Sequence, residues 1–132
     1  MTLTAYGPTY QDGVEGGFNR SLDTVEDVRS LVALLGEDGV FTAVVEGEHA
    51  AIEVHVENGL GYLFYHGPEV MGGYSVGQPT SPAVTASETG FPAGSGVPLD
   101  VFTTGLIESL NTDRLPTSIH WSTEPHAHAT SA

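Results

Sequence analysis

The sequence predicts an α+β fold: a mostly antiparallel, twisted sheet of about five to six strands with two amphipathic helices packed on it, in a single domain. Three observations predict it. Apolar residues recur at helical spacing in two stretches, 25–35 and 99–110. Between them, AIEVHVE (51–57) alternates strictly with period two, and LGYLFYH (60–66) follows as its return. Asn58-Gly59 joins these two strands. That dipeptide suits a type I′ hairpin turn, which needs positive φ at both central positions.

Each element can be justified in order. Residues 1–20 alternate weakly at Leu3 and Ala5, then become glycine-rich, and are read as an edge strand. The first helix opens on Asp23 as its cap, with Glu26 as the capping-box partner three residues on. Val25, Val28, Leu31, Val32 and Leu35 form its apolar stripe, and Gly36 stops it. VFTAVVE (40–46) is a mostly apolar strand, and EGEH turns the chain.

The two-residue turn sets the register of the next hairpin. Glu57 falls opposite Leu60, His55 opposite Tyr62, and Glu53 opposite Phe64. Ile52, Val54 and Val56 then share the core side with Leu63 and Tyr65. The other side is mixed: Glu53, His55, Glu57, Tyr62, Phe64 and His66.

GPEVMGGYSVGQPTSP (67–82) reads as a long loop, PAVTAS (82–87) as a short strand and TGFPAGSG (89–96) as a second loop. Val97-Pro98 opens the second helix, where proline is tolerated in the first turn. Its stripe is Leu99, Phe102, Leu106 and Leu110, with Ile107 alongside. Gly105 inside it costs roughly 1 kcal/mol relative to alanine, which points to close packing. Asp113-Arg114-Leu115-Pro116 breaks the chain direction. TSIHW (117–121) returns as a strand with Ile119 and Trp121, the only tryptophan, on one face. Packing is the expected role of Trp121. The domain is expected over 1–122 and a disordered tail over 123–132.

Charge dominates the composition. There are 17 acidic residues against three arginines (Arg20, Arg29, Arg114) and no lysine, for a net charge of −14. Such a surface repels nucleic acid and anionic membranes and steers a basic partner. Absent cysteine excludes disulfides, zinc–thiolate sites and thiol catalysis. Absent lysine excludes Schiff-base chemistry and a phosphate-loop lysine. MTLTAYGPTYQDG is polar and broken by glycine and proline, and no apolar run reaches membrane-spanning length. A cytoplasmic protein is expected.

His55-Val56-Glu57 matches half of a zinc-deaminase signature, but the other half needs cysteines that the chain lacks. His55 and Glu57 share a strand face with Glu53 and His66, so a His/carboxylate metal site is geometrically conceivable. A half-exposed polar face is the plainer reading. His126 and His128 in the tail form a weak metal-like pair. No nucleophile, base and orienting group assemble. No catalytic residue, metal or cofactor is therefore expected. What remains is a surface of mixed acidic, aromatic and methionine character, suited to a basic, partly apolar protein cleft. Its residues are Glu53, Glu57, Tyr62 and Phe64 on the hairpin and Glu69, Val70, Met71 and Tyr74 on the loop after it. The competing reading places Tyr62 and Phe64 in the core.

From the hairpin onward the chain resembles a known family. The order is the Asn-Gly hairpin, YLFY ending in His66, a glycine-rich loop, FPAGSGVPL (91–99), an amphipathic helix, and Pro116 followed by Trp121. It is similar to immunity proteins of bacterial polymorphic toxin systems, specifically the family numbered one, over roughly residues 40–122. The resemblance implies an α+β fold, no catalysis, and tight binding to a co-encoded toxin. Members are often paired with deaminase-fold toxins acting on DNA. The expected partner is thus a toxin domain with a basic active-site cleft, held in a 1:1 complex with a monomer of this chain. A small acidic adaptor with another protein partner is the alternative.

Overall fold

In the computed structural model, which describes residues 2–85 and 90–123, the chain opens with a hairpin where one edge strand was expected. β1 (Leu3–Gln11) and β2 (Val14–Leu22) pair antiparallel along their whole length around Asp12-Gly13. Asp12 and Gly13 have φ of 55° and 76°. These are the positive values a type I′ turn demands.

Next comes α1 (Val25–Leu35), which buries Val28, Leu31 and Leu35 and ends at Gly36 as expected. Its cap lies one residue later than the sequence suggested. Thr24, not Asp23, accepts from the Asp27 amide, and Asp27 rather than Glu26 closes the box by accepting from the Thr24 amide at 3.1 Å. Asp23 is occupied elsewhere, accepting a hydrogen bond from Thr2. The carboxyl of Asp27 is held below its ordinary pKa by the amides of Asp23 and Thr24.

β3 (Ala43–Glu46) is shorter than the expected strand, and Val40 makes only an isolated bridge to Thr9. β4 (Ala51–Glu57) and β5 (Leu60–His66) pair in the expected register, with Asn58 and Gly59 both at positive φ. The long loop expected at 67–82 contains β6 (Gly73–Val76), which pairs with β5. Of the strand expected at 82–87, a bridge between Val84 and Phe91 is present among the described residues. β7 (Val97–Pro98) pairs with the start of β5 and leads into α2 (Leu99–Thr112). β8 (His120–Ser122) closes the order β2-β1-β3-β4-β5-β6-β8, with β7 off that path. The fold class is the expected one, with a few more strands. The tail from residue 124 lies outside the described residues.

One side of the sheet carries both helices. Leu3, Ala5, Ala43, Val45, Ile52, Val54, Leu63 and Tyr65 from the strands form one core with Val28, Leu31, Phe102 and Leu106 from the helices. Burying each such aliphatic or phenylalanine side chain is worth about 1.5–3 kcal/mol. α2 lies very close to the sheet. A Cβ on Gly61 would sit 2.2 Å from the Phe102 ring, and one on Gly105 would sit 2.4 Å from Ile119 Cδ1. That explains the glycine inside the helix.

α2 ends on Asp113, which is buried and at φ 51°. Its carboxylate accepts the His49 amide at 2.9 Å, tying the β3–β4 turn to the helix end. Glu108 gathers the next segment. It accepts from the Thr117 amide at 2.6 Å and the Ser118 amide at 3.0 Å. The chain is thereby aimed into β8, where the half-buried Trp121 donates its indole N–H to Pro116 O at 2.8 Å. The indole ring stands 5.8 Å from that of Tyr65.

Candidate functional site

Period-two alternation fixes what the other side of the sheet presents. Reading across the registers gives an unbroken row: Tyr6, Val44, Glu53, Phe64, Tyr74 and Ser122, each from a different strand. All six are half-buried. Both helices belong to the core on the opposite side, and Phe64 and Tyr74 pack against a second, smaller cluster of Tyr62, Val84 and Phe91. The rings of Phe64 and Tyr74 are tilted against each other with centroids 4.4 Å apart, and His66 meets Phe64 edge-on at 4.5 Å. Burial pushes the Tyr74 hydroxyl's pKa up, and the nearby Glu53 carboxylate pushes it further the same way.

The same registers assign the charges. Glu15 lies opposite Tyr10, Glu46 opposite Thr4, and Glu57 opposite Leu60, so these three share the helix-free face with Glu53. The arginines do not. Arg20 pairs with Ala5 on the helix side, Arg29 lies in α1 beside Glu26, and Arg114 follows α2. The helix-free face therefore combines four carboxylates with aromatic rings and carries no arginine.

The expected site residues divide four ways. Glu53, Glu57, Phe64 and Tyr74 do share this face. Tyr62 points the same way, but it is fully buried beneath Val84 and Phe91 and donates its hydroxyl to Pro82 O at 2.9 Å. As a contact residue it is corrected: segment 77–96 folds back over it, with Gly77 N donating to Gly94 O and Gln78 N to Gly96 O. Glu69 and Val70 turn to the other side. Tyr65 donates to Glu69, Leu115 N donates to Glu69 at 3.2 Å, and Val70 packs on the main core. The Tyr65 hydrogen bond holds the Glu69 carboxyl below its ordinary pKa, while burial pushes the Tyr65 hydroxyl up. Met71 is 90% exposed at the tip of its turn.

His55 is nearly buried, with both ring nitrogens engaged. Nδ1 lies 3.3 Å from Thr42 Oγ1 and Nε2 lies 3.2 Å from Glu57 Oε1. Its ring lies beside that of Phe91. Among the described residues no group of three or more His, Asp or Glu could hold a metal ion. His126 and His128 lie outside them.

Sequence reasoning missed Tyr6, Tyr10 and Glu15 because it did not build the first hairpin, and Val44 because it assigned no faces to the 40–46 strand. The available signal was Asp12-Gly13, as strong a turn dipeptide as Asn58-Gly59.

Among the described residues, no helix is long and apolar enough to cross a membrane. No curated protein and no solved structure matches the chain. A family model described as immunity protein Imm1 does match, over residues 16–123, which runs from the third residue of β2 through β8. The chain belongs to the Imm1 family of immunity proteins.

Proposed function

We propose that this chain neutralises a cognate toxin by laying the helix-free face of its sheet over the toxin's substrate cleft, and that it performs no reaction itself. Family membership supports a toxin partner. The observation that carries the mechanism is the make-up of this face: four glutamates and an aromatic row, with none of the three arginines. A toxin that grips nucleic acid, such as one with a deaminase fold, needs a cationic cleft. This face matches such a cleft in sign and supplies apolar surface for residence time. Glu53, Glu57, Phe64 and Tyr74 make the contact, with Met71 at the rim. The complex is 1:1 and forms in the cytoplasm, where the toxin's substrate lies.

The test is association rate against ionic strength, using the toxin domain encoded beside this chain. Steering gives rates far above the neutral ~10⁵–10⁶ M⁻¹s⁻¹ at low salt, falling steeply as salt rises. Glu53→Arg and Glu57→Arg should slow association in proteins that still unfold cooperatively well above the assay temperature. A rate indifferent to salt and to both reversals would refute the proposed face.

A further inference from the structure

The N-terminal hairpin carries a second feature, its outer edge. Among the described residues, β2 is paired on one side only, to β1, and is the last strand of the sheet. The phase of the ladder shows which backbone groups it leaves unpaired. Tyr10 N donates to Gly39 O and Phe41 N donates to Pro8 O, so Pro8 and Tyr10 turn their polar groups away from β2. In an antiparallel pair, residues opposite such positions turn theirs the other way. Gly17 and Glu15 are those residues, and alternation adds Asn19 and Ser21. Four N–H and four C=O groups thus project along one edge, and all four residues are exposed.

Proteins normally blunt such an edge with lysine, proline, a bulge or a short strand. β2 has no lysine, proline or bulge, and its charged side chains are only Glu15 and Arg20: it is nine residues long, in unbroken register, with Gly16-Gly17 leaving room for a backbone to approach. β8, at the opposite edge, is only three residues long.

We propose that the toxin adds an extended segment to this edge, as a further antiparallel or parallel strand beside β2. This rests on the toxin-binding reading above. The charge selects the occupant: a second copy would bring another −14 to the edge, whereas a basic segment of the toxin is attracted. Glu15, on the helix-free face, would stand beside a cationic side chain of the added strand. Main-chain pairing supplies affinity, and the residues flanking it supply selectivity.

Amide hydrogen exchange of the unaltered chain, free and bound to the inactivated toxin domain encoded beside it, tests this. The amides of Glu15, Gly17, Asn19 and Ser21 should exchange ~10-fold or more slowly in the complex. Asn19→Pro, which removes one outward donor, should weaken binding roughly tenfold, while Asn19→Ala, which keeps it, should not. If a complex forms while these amides exchange at the free rate and both variants bind alike, the edge proposal is overturned and toxin binding stands. If no complex forms, both readings fall. Protection that grows with the concentration of the chain alone would place a second copy on the edge and overturn the proposal.

Discussion

Trp121→Ala separates a packing role from a binding role. The indole is half-buried, stands 5.8 Å from the Tyr65 ring and donates to Pro116 O at 2.8 Å. Truncating a fully buried tryptophan costs about 3–5 kcal/mol. Half burial brings the packing loss to about 2 kcal/mol, and the lost hydrogen bond adds about 1 kcal/mol. An unfolding entropy of about 2.1 cal/mol/K per residue, over 132 residues, gives roughly 0.28 kcal/mol/K. A loss of about 3 kcal/mol therefore lowers the melting temperature by roughly 11 °C. Trp121→Phe keeps most of the ring contact and loses only the hydrogen bond, so its drop should be roughly 4 °C. Calorimetry of both variants is the assay, with toxin affinity measured well below either midpoint. A Trp121→Ala protein that melts with the wild type but no longer binds would show that the indole serves the partner.

Three further outcomes are expected. Gly61→Ala should destabilise by about 3 kcal/mol, because the new methyl meets the Phe102 ring at 2.2 Å, and pairing it with Phe102→Leu should recover part of the loss in denaturant melts. Tyr62→Phe should cost about 1 kcal/mol by removing the bond to Pro82 O and leave toxin affinity unchanged; weakened binding would return Tyr62 to the contact surface. Acid should weaken the fold through Glu108: burial pushes its pKa up, but hydrogen bonds from Thr117 and Ser118 outweigh this and leave it below the ordinary value. A carboxylate depressed in the folded state contributes stability that is present above its unfolded pKa of about 4.3 and lost as pH falls through the folded one. The melting temperature should therefore drop below about pH 4.5, less steeply in Glu108→Gln, and an identical slope in both proteins would refute that assignment.

What the sequence reveals follows the range of the interactions involved. The β4–β5 register was readable because Asn58-Gly59 is a local turn signal and one strand face is apolar throughout. The second helix and its glycine were readable for the same reason, a stripe with one interruption. β2 was not, since VEGGFNRSL has neither alternation nor β-branched residues beyond Val14; its strand exists because β1 pairs with it along its length. β6 hid among glycines because β5 and β8 define it from either side. The site shows the same division. Glu53, Glu57 and Phe64 followed from parity and Tyr74 was read only as a loop residue, whereas the burial of Tyr62 depends on a distant segment that carries Val84 and Phe91.

The acidity of the helix-free face makes one more demand on the molecule. Four glutamates on one face of a chain at −14 repel one another, and none of the three arginines lies on that face. Salt screens this repulsion over a length of ~8 Å at physiological ionic strength. Raising salt from a low value should therefore raise the melting temperature of the free chain. The same screening weakens attraction to a cationic cleft, so it should lower the association rate with the toxin. If the acidity served only solubility, the first dependence would appear without the second. Opposite salt dependences of stability and association are thus what a surface held ready for a basic partner must show.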